Sequence, residues 1–123
     1  NRDYHTKAVD SLRSAREMMA QFPTGAGQWL TALDFYLSTP KEIVIVGDPH
    51  SDATLELAGA VFATFNPNHV LVATDPQNPQ NVQYPLIADR PMLNGLSTAY
   101  VCENYVCNLP VTSTENLAKQ LNN

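Results

Sequence analysis

The sequence predicts an α/β domain with a small three- or four-stranded, mainly parallel sheet and flanking helices, preceded by a helical hairpin. Three observations favour this fold class. A helical period fills the first 39 residues, two short β-branched runs enclose a helical segment after residue 40, and a third β-prone run lies near the C-terminus. We therefore expect two domains, residues 1–39 and residues 40–123.

The first 39 residues predict two helices. Apolar residues recur every three or four positions from about residue 4 to residue 22, and the run Pro-Thr-Gly-Ala-Gly at 23–27 ends that pattern. The second helix, about residues 28–38, has almost no polar face. A helix that is apolar all round needs neighbours on several sides. More apolar surface than these two helices can cover favours a piece of a larger helical domain. The same interpretation is favoured because the chain begins without Met and opens directly into a helix.

The next 35 residues have the pattern of a βαβ unit. Continuous β-branched runs at 42–47 and 69–74 predict two buried strands, which should be parallel. The helix between them, about residues 53–65, is capped by Ser51 or Asp52. Its predicted core-facing side chains are Leu55, Ala58, Val61, Phe62 and Phe65.

The last 50 residues are less regular. Residues 75–81 predict a loop, residues 84–88 one or two helical turns, and residues 98–102 a third strand. Residues 105–109 either extend that strand or turn back as a hairpin arm. Thr112 and Glu115 have the spacing of a capping box and open a last helix, whose core residues are Leu117, Ala118 and Leu121.

Composition excludes some partners. The chain has 123 residues and a formal net charge of −5, and its seven Lys and Arg residues are scattered. No basic stripe can follow a phosphate backbone, so we expect no nucleic-acid partner. No apolar run approaches the roughly 18–20 residues that span a bilayer, so we expect no membrane partner either.

The pair Cys102 and Cys107 is the candidate redox site. The favoured interpretation is two buried free cysteines acting as small apolar residues. A disulfide or redox pair remains open, because a turn at 103–105 would bring the thiols together, whereas one straight strand would place them on opposite faces. Zinc is disfavoured because the only other soft ligands are three dispersed histidines, so we expect neither a metal nor a cofactor.

A second candidate is the loop that follows the first strand. Asp48, His50 and Asp52 could bind a ligand there, since ligands bind at the carboxyl edge of parallel strands and near helix N-termini. Against this, Gly47 is the only glycine at this loop, so no glycine-rich phosphate loop is present, and two carboxylates repel phosphate. The favoured interpretation is therefore a turn followed by a helix cap.

The aromatic residues of the second helix leave three interpretations open. At helical spacing Trp29, Phe35 and Tyr36 are more often core, but they could line a sugar-binding face or form a surface uncovered by truncation. In the last case the isolated chain self-associates through its first two helices. His5 and His69 are expected near the chain end and at a strand edge, and no catalytic triad is recognisable.

Three segments together resemble one known family. They are Glu-Ile-Val-Ile-Val-Gly-Asp-Pro at 42–49, Asn-Pro-Asn-His-Val at 66–70 and Ala-Tyr-Val-Cys-Glu-Asn-Tyr-Val-Cys-Asn-Leu-Pro-Val-Thr at 99–112. The last is the specific one. The chain resembles the C-terminal region of the thioredoxin-domain-containing proteins related to spermatogenesis-associated protein 20.

The resemblance implies a multidomain parent with an N-terminal thioredoxin-like domain and an (α/α)6 toroid similar to those of sugar epimerases and some glycosidases. Residues 1–39 would then be the last toroid hairpin, and the toroid and thioredoxin-like domain would be this chain's partners. Our leading hypothesis is a non-catalytic structural domain. The alternatives are a thiol–disulfide redox accessory using Cys102 and Cys107, and a contribution to a carbohydrate-processing enzyme.

Overall fold

A computed structural model describes residues 2–104 and 106–122, and the chain divides into two compact units that meet between Thr39 and Pro40. No helix among these residues combines the length and apolarity that a membrane crossing requires. The helical unit contains α1 (Arg2–Ser14), α2 (Arg16–Gln21) and α3 (Gly27–Leu37). The α/β unit contains β1 (Lys41–Val46), α4 (Asp52–Ala63), β2 (His69–Thr74), a 3-10 turn (Pro79–Gln83), β3 (Thr98–Glu103), β4 (Val106–Cys107) and α5 (Thr114–Leu121).

The single helix expected over residues 4–22 is divided at Ala15. Three hydroxyl groups of α1 donate hydrogen bonds to carbonyl oxygens four residues earlier, the last being Ser14 Oγ to Asp10 O at 2.9 Å. Such back-bonding competes with the helical ladder and bends helices. The bend leaves a small core of Ala15, Met19 and Ala26, with Leu33 packed against it.

Helix α3 has no buried residue. Five of its six large apolar side chains are 36–72% exposed, namely Trp29, Leu30, Phe35, Tyr36 and Leu37, and the sixth, Leu33, is partly buried. The more frequent interpretation of these aromatics, as core residues, is therefore wrong for the described structure.

The α/β fold class and the four strands are confirmed, and the sheet is mixed, in the order β2-β1-β3-β4. Only β1 and β2 pair in parallel, while β3 runs antiparallel to β1 and β4. The expectation of a mainly parallel sheet therefore fails at β3. The connection from Thr74 to Thr98 contains no crossover helix that would carry the chain to the other end of the strands. Thr98 pairs with Val46, so β3 begins at the same end of the sheet at which β2 ends and runs antiparallel to β1.

The main core lies between the sheet and helices α4 and α5. Ile43, Ile45, Ala99 and Val101 of the central strands are 0–1% exposed. They pack against helical residues Leu57, Val61, Leu117 and Leu121. Strand β1 is buried as its composition predicts, whereas β2 is only half-buried because it lies at the sheet edge.

The buried face of α4 differs from the predicted one. Thr54, Leu57 and Val61 are buried, but Leu55, Phe62 and the following Phe65 are exposed. Because α4 is apolar on nearly all sides, its sequence does not distinguish which stripe faces the sheet. The outer stripe therefore remains uncovered within the described residues.

The opposite face of the sheet is covered by the long connection between β2 and β3. Val44, Val46 and Tyr100 pack there against Leu86 and Met92 of that connection. A tight turn from Leu93 to Leu96 shapes it, with positive φ angles of 52° at Asn94 and 73° at Gly95. Asn-Gly is favoured in such turns because both residues tolerate that conformation.

Both ends of the last helix are satisfied by side chains. Ser113 Oγ accepts a hydrogen bond from Asn116 N at 3.4 Å, so Ser113 caps α5 in place of the expected Thr112. At the other end, Lys41 Nζ donates to the carbonyl oxygens of Gln120 and Leu121, both at 3.0 Å. A cation at a helix C-terminus also complements the helix dipole.

Candidate functional site

The two cysteines form a disulfide across a β-hairpin. Cys102 of β3 and Cys107 of β4 are direct register partners, with Cα atoms 3.9 Å apart. Asn104, which directly follows β3, has a positive φ of 49°, a conformation that Asn tolerates and that tight hairpin turns use. The chain thus turns back after Glu103, which is the hairpin alternative left open by the sequence.

The favoured interpretation of two buried free cysteines is corrected by this hairpin. No described cysteine is free, and only Cys102 is buried, at 1% exposure. Cys107 is exposed because it lies on β4, the short edge strand of the sheet. A straight strand would have kept the thiols apart, so the turn alone decides the pairing.

Arg90 is the residue that the sequence did not reveal. Its Nη2 atom lies 3.6 Å from Cys102 Sγ and 3.6 Å from Cys107 Sγ. The second terminal guanidinium nitrogen, Nη1, donates to the carbonyl oxygens of Leu86 and Pro85. One arginine therefore connects the disulfide to the connection that covers this face of the sheet. Nothing in the local sequence around Arg90 marks it for this position.

Tyr100 completes the surroundings of the disulfide. It lies two residues before Cys102, on the same face of β3, and its ring centroid is 5.9 Å from the Arg90 guanidinium carbon. Its hydroxyl donates to Pro91 O at 2.5 Å. Burial raises the pKa of Tyr100, and the positive charge of Arg90 opposes that effect.

The loop at Asp48, His50 and Asp52 has the geometry of a turn and a helix cap. Asp48 Oδ1 accepts a hydrogen bond from His50 N at 2.9 Å. Ser51 Oγ accepts one from Thr54 N at 3.3 Å and is the N-cap of α4, with Asp52 in the first turn. These interactions have the form of a turn followed by a helix cap, as the favoured interpretation of this loop predicts.

Gly47 explains how closely this turn approaches the rest of the unit. A side chain at Gly47 would lie 2.4 Å from Thr54 Oγ1 and 2.6 Å from Ser97 Oγ. Those two hydroxyl groups bond to each other at 2.8 Å. The glycine therefore permits a packing contact, and no phosphate-binding loop surrounds it.

The histidines are dispersed. His69 Nδ1 contacts Asn66 O at 2.5 Å, and the His5 ring lies 6.1 Å from that of Tyr36. Among residues 2–104 and 106–122, no three His, Cys, Asp or Glu side chains are grouped closely enough to hold a metal ion.

The exposed aromatic surface of α3 includes the only tryptophan of the chain. Trp29 borders an open depression together with polar groups of α1, namely Lys7, Asp10, Ser11 and Ser14. Tyr36 borders a second depression in the same unit, beside Arg13 and Arg16. In the first depression the hydroxyl groups of Ser11 and Ser14 donate to the carbonyl oxygens of Lys7 and Asp10.

Comparison with known proteins finds three related mammalian proteins. The chain is 33% identical over 123 residues to human spermatogenesis-associated protein 20, and 31% and 30% identical to the rat and mouse proteins. The chain is homologous to part of spermatogenesis-associated protein 20. No family model matches the chain, and no solved structure matches it.

The match covers 98% of this chain but only 16% of spermatogenesis-associated protein 20. The chain thus corresponds to one segment of a much larger protein, as the C-terminal resemblance implied. The names of these relatives state no reaction, substrate or ligand. The thioredoxin-like domain, the toroid and the assignment of residues 1–39 to a toroid hairpin stay predictions.

Proposed function

We propose that this chain is a non-catalytic accessory region of a larger protein related to spermatogenesis-associated protein 20, and that it stabilises its parent by packing against the parent's other domains. The observation that carries this proposal is α3, which buries none of its residues in the described structure and leaves five large apolar side chains at least 36% exposed. Such a helix is favourable only when another surface covers it.

The α/β unit supports the same proposal. The outer stripe of α4 leaves Leu55 and Phe62 57% and 72% exposed, although the opposite stripe forms the core. Each side chain of this size gains about 1.5–3 kcal/mol when it is fully removed from water. A few such residues on each unit are enough to hold an accessory domain against its neighbours.

The test compares one substitution in two settings. Phe35→Ser in the full-length parent should lower the free energy of unfolding by about 2–4 kcal/mol if Phe35 is covered there. In the 123-residue chain, where Phe35 is 37% exposed, the same change should cost less, about 1 kcal/mol. Denaturant unfolding measures both, with Tyr4→Ser on α1 as the exposed aromatic control. Equally small effects in both settings would contradict the proposal.

Without its covering domains, the chain should associate with itself through its first helices. Sedimentation velocity over increasing concentration measures this association, and Leu30→Ser together with Tyr36→Ser should reduce it. A monomer at every concentration would contradict self-association. It would leave the test in the full-length parent unaffected.

A second candidate function is thiol–disulfide exchange at Cys102 and Cys107. What favours it is the bonded pair with one exposed cysteine and a guanidinium against both sulfurs. A disulfide alone is equally consistent with a structural staple. The test is whether a dithiol reduces the pair in the folded protein. Reduction only after unfolding would exclude exchange and show that the disulfide is structural.

A third candidate is a contribution to carbohydrate binding in an epimerase- or glycosidase-like enzyme. It is favoured by Trp29 beside hydroxyl and charged groups in the depression on α1 and α3, since sugars bind aromatic faces with polar neighbours. Trp29 is the only tryptophan, so its fluorescence reports on that surface directly. Titration with glucose and N-acetylglucosamine should change the emission, and an unchanged spectrum would exclude this site for those sugars.

A further inference from the structure

We propose that the Cys102–Cys107 disulfide is an exchange site for dithiols, in which Cys107 receives the attack and Arg90 stabilises the Cys102 thiolate that leaves. This inference rests on the second candidate function, thiol–disulfide exchange, and assigns its substrate class and the role of each residue. It is independent of the proposed packing role of α3.

Access to the two sulfur atoms is unequal. Cys107 lies on the exposed edge strand β4, whereas Cys102 is 1% exposed and lies between β1 and β4 in the sheet. Exchange requires an attacking thiolate to approach one sulfur of the bond. That approach is open at Cys107 and blocked at Cys102, so the buried cysteine is the leaving group.

Arg90 supplies the charge that the leaving group needs. Its Nη2 atom is 3.6 Å from both sulfurs, and Nη1 is held by the carbonyl oxygens of Pro85 and Leu86. No carboxylate of the described residues forms a salt bridge with Arg90. Its positive charge is therefore available to a sulfur anion, and a better-stabilised thiolate leaves faster.

The exchange balances in two steps. A thiolate of the dithiol attacks Cys107 Sγ, the Sγ–Sγ bond breaks, and its electron pair stays on Cys102 Sγ beside Arg90. The second thiolate of the dithiol then attacks the mixed disulfide at its own first sulfur and releases Cys107 as a thiolate. The dithiol ends as a disulfide, having given two electrons to the cysteine pair, and its two protons pass to solvent or to the new thiols.

A dithiol fits this site better than a monothiol does. After the first step, Cys102 lies opposite Cys107 in the register and can re-form the original bond, expelling the attacker. An attacker with its own second thiol completes the reaction before that return. Val106 and Leu109, which flank Cys107 in the chain, are 74% and 84% exposed, so a protein dithiol can add apolar contacts that a small molecule cannot.

Other charged groups surround the pair, and they set the background for any pH dependence. Glu42 is the register partner of Cys102 on β1, and Glu103 follows Cys102 but is paired with Lys41 at 3.4 Å. Asp89 precedes Arg90 and shares its surface depression. These carboxylates raise the free energy of a nearby thiolate, whereas Arg90 is the positive charge in contact with both sulfurs. Removal of Arg90 should therefore destabilise the thiolates more than removal of any of these carboxylates stabilises them.

The experiment follows the two cysteines in the full-length protein by differential alkylation and peptide mass spectrometry. Dithiothreitol serves as the small dithiol, reduced thioredoxin as the protein dithiol, and glutathione as the monothiol. We expect both dithiols to reduce the pair in the folded protein and glutathione to leave it largely oxidised. A faster reaction with thioredoxin at equal thiol concentration assigns the site to protein dithiols, and a faster reaction with dithiothreitol assigns it to small ones.

The role of Arg90 is separated from its packing by two variants. Arg90→Met removes the charge, whereas Arg90→Lys keeps a charge and loses the same planar contacts with the carbonyl oxygens. We expect Arg90→Met to slow reduction at least about threefold and to raise the midpoint pH of the thiolate absorbance by about one unit, with Arg90→Lys closer to the wild type. Lys119→Met, on the solvent-exposed side of α5, is the matched control, and circular dichroism monitors folding.

Two results would overturn the inference. The first would also exclude thiol–disulfide exchange as a function, and the second would exclude only the role of Arg90. If no dithiol reduces the wild-type pair without unfolding, exchange itself is excluded and the second candidate function fails with it. If reduction occurs but Arg90→Met and Arg90→Lys behave alike, exchange stands and the role of Arg90 is wrong.

Discussion

Helices α3 and α4 are alike in composition and different in surroundings. Both are apolar on nearly every side, yet α4 buries one stripe against the sheet while α3 buries no residue. The comparison shows that apolar composition predicts a need for burial without specifying the surface that meets it. In the α/β unit that surface is supplied by the chain itself, whereas the described part of the helical unit has just four buried residues, Leu12, Ala15, Met19 and Ala26.

The largest expected effect is a core substitution in the α/β unit. Ile45 is 0% exposed, so Ile45→Ala should lower the free energy of unfolding of that unit by about 3–4 kcal/mol. The matched change in the helical unit, Leu30→Ala, should cost less than about 0.5 kcal/mol in the 123-residue chain. Amide exchange of the β1 protons measures the first and Trp29 fluorescence the second. Similar losses at both positions would remove the contrast between the units.

The second effect is loss of the hairpin disulfide. Cys107→Ser opens a bridge between residues five apart, and the chain-entropy model assigns a loop of that size about 2 kcal/mol. The loss should appear in amide exchange of β3 and β4 and leave the Trp29 signal of the helical unit unchanged. A variant as stable as the wild type would show that the hairpin needs no staple.

The third effect concerns the cap of α4. Ser51→Ala removes the acceptor of the Thr54 N–H and should cost about 1 kcal/mol, measured as a shift in the denaturant midpoint. Helix α3 has Ala26 at its N-cap position, without a side-chain cap, and Ala26 is buried in the core of the helical unit, so Ala26→Ser should not stabilise that unit because the new hydroxyl loses its contact with water. A stabilising Ala26→Ser of similar size would show that capping also limits the helical unit.

The smallest effect is the pH dependence that Tyr100 contributes. Burial raises the pKa of Tyr100 in the folded state, so its contribution is complete below the unfolded value of about 10 and declines as the pH rises through the folded value. Denaturant unfolding at increasing alkaline pH measures this decline. Tyr100→Phe should remove it, while Tyr4→Phe at an exposed position should not. Identical profiles for wild type and Tyr100→Phe would contradict the assignment.

Much of the α/β unit follows from local sequence. β2 occupies the predicted residues, β1 is buried as its β-branched run indicates, and Ser51 caps α4 as one of two expected residues. The errors lie where a local pattern is symmetric. The sequence predicts Leu55 and Phe62 in the core, but both are exposed, because nothing in the sequence of an all-apolar helix shows which stripe is buried. Ser113 caps α5 in place of the predicted Thr112, because neighbouring hydroxyl residues can both accept the capping hydrogen bond.

The candidate site was predictable only as a pair of cysteines. Whether they bond depends on the chain turning back after Glu103, and Arg90 lies 12 and 17 residues before them in the chain. Such a contact depends on the path of the connection between β2 and β3, and the sequence of that connection has no hydrophobic period from which its path could be predicted.

The sequence by itself determined where the helices and main strands lie and that two regions of different period follow one another, because those signals depend on residues within a few positions of each other. Tertiary structure alone decided the antiparallel direction of β3, the face that α4 buries, and the meeting of Arg90 with the Cys102–Cys107 bond. These depend on how distant segments share one surface, and hydrophobic burial, which drives that sharing, has no direction of its own.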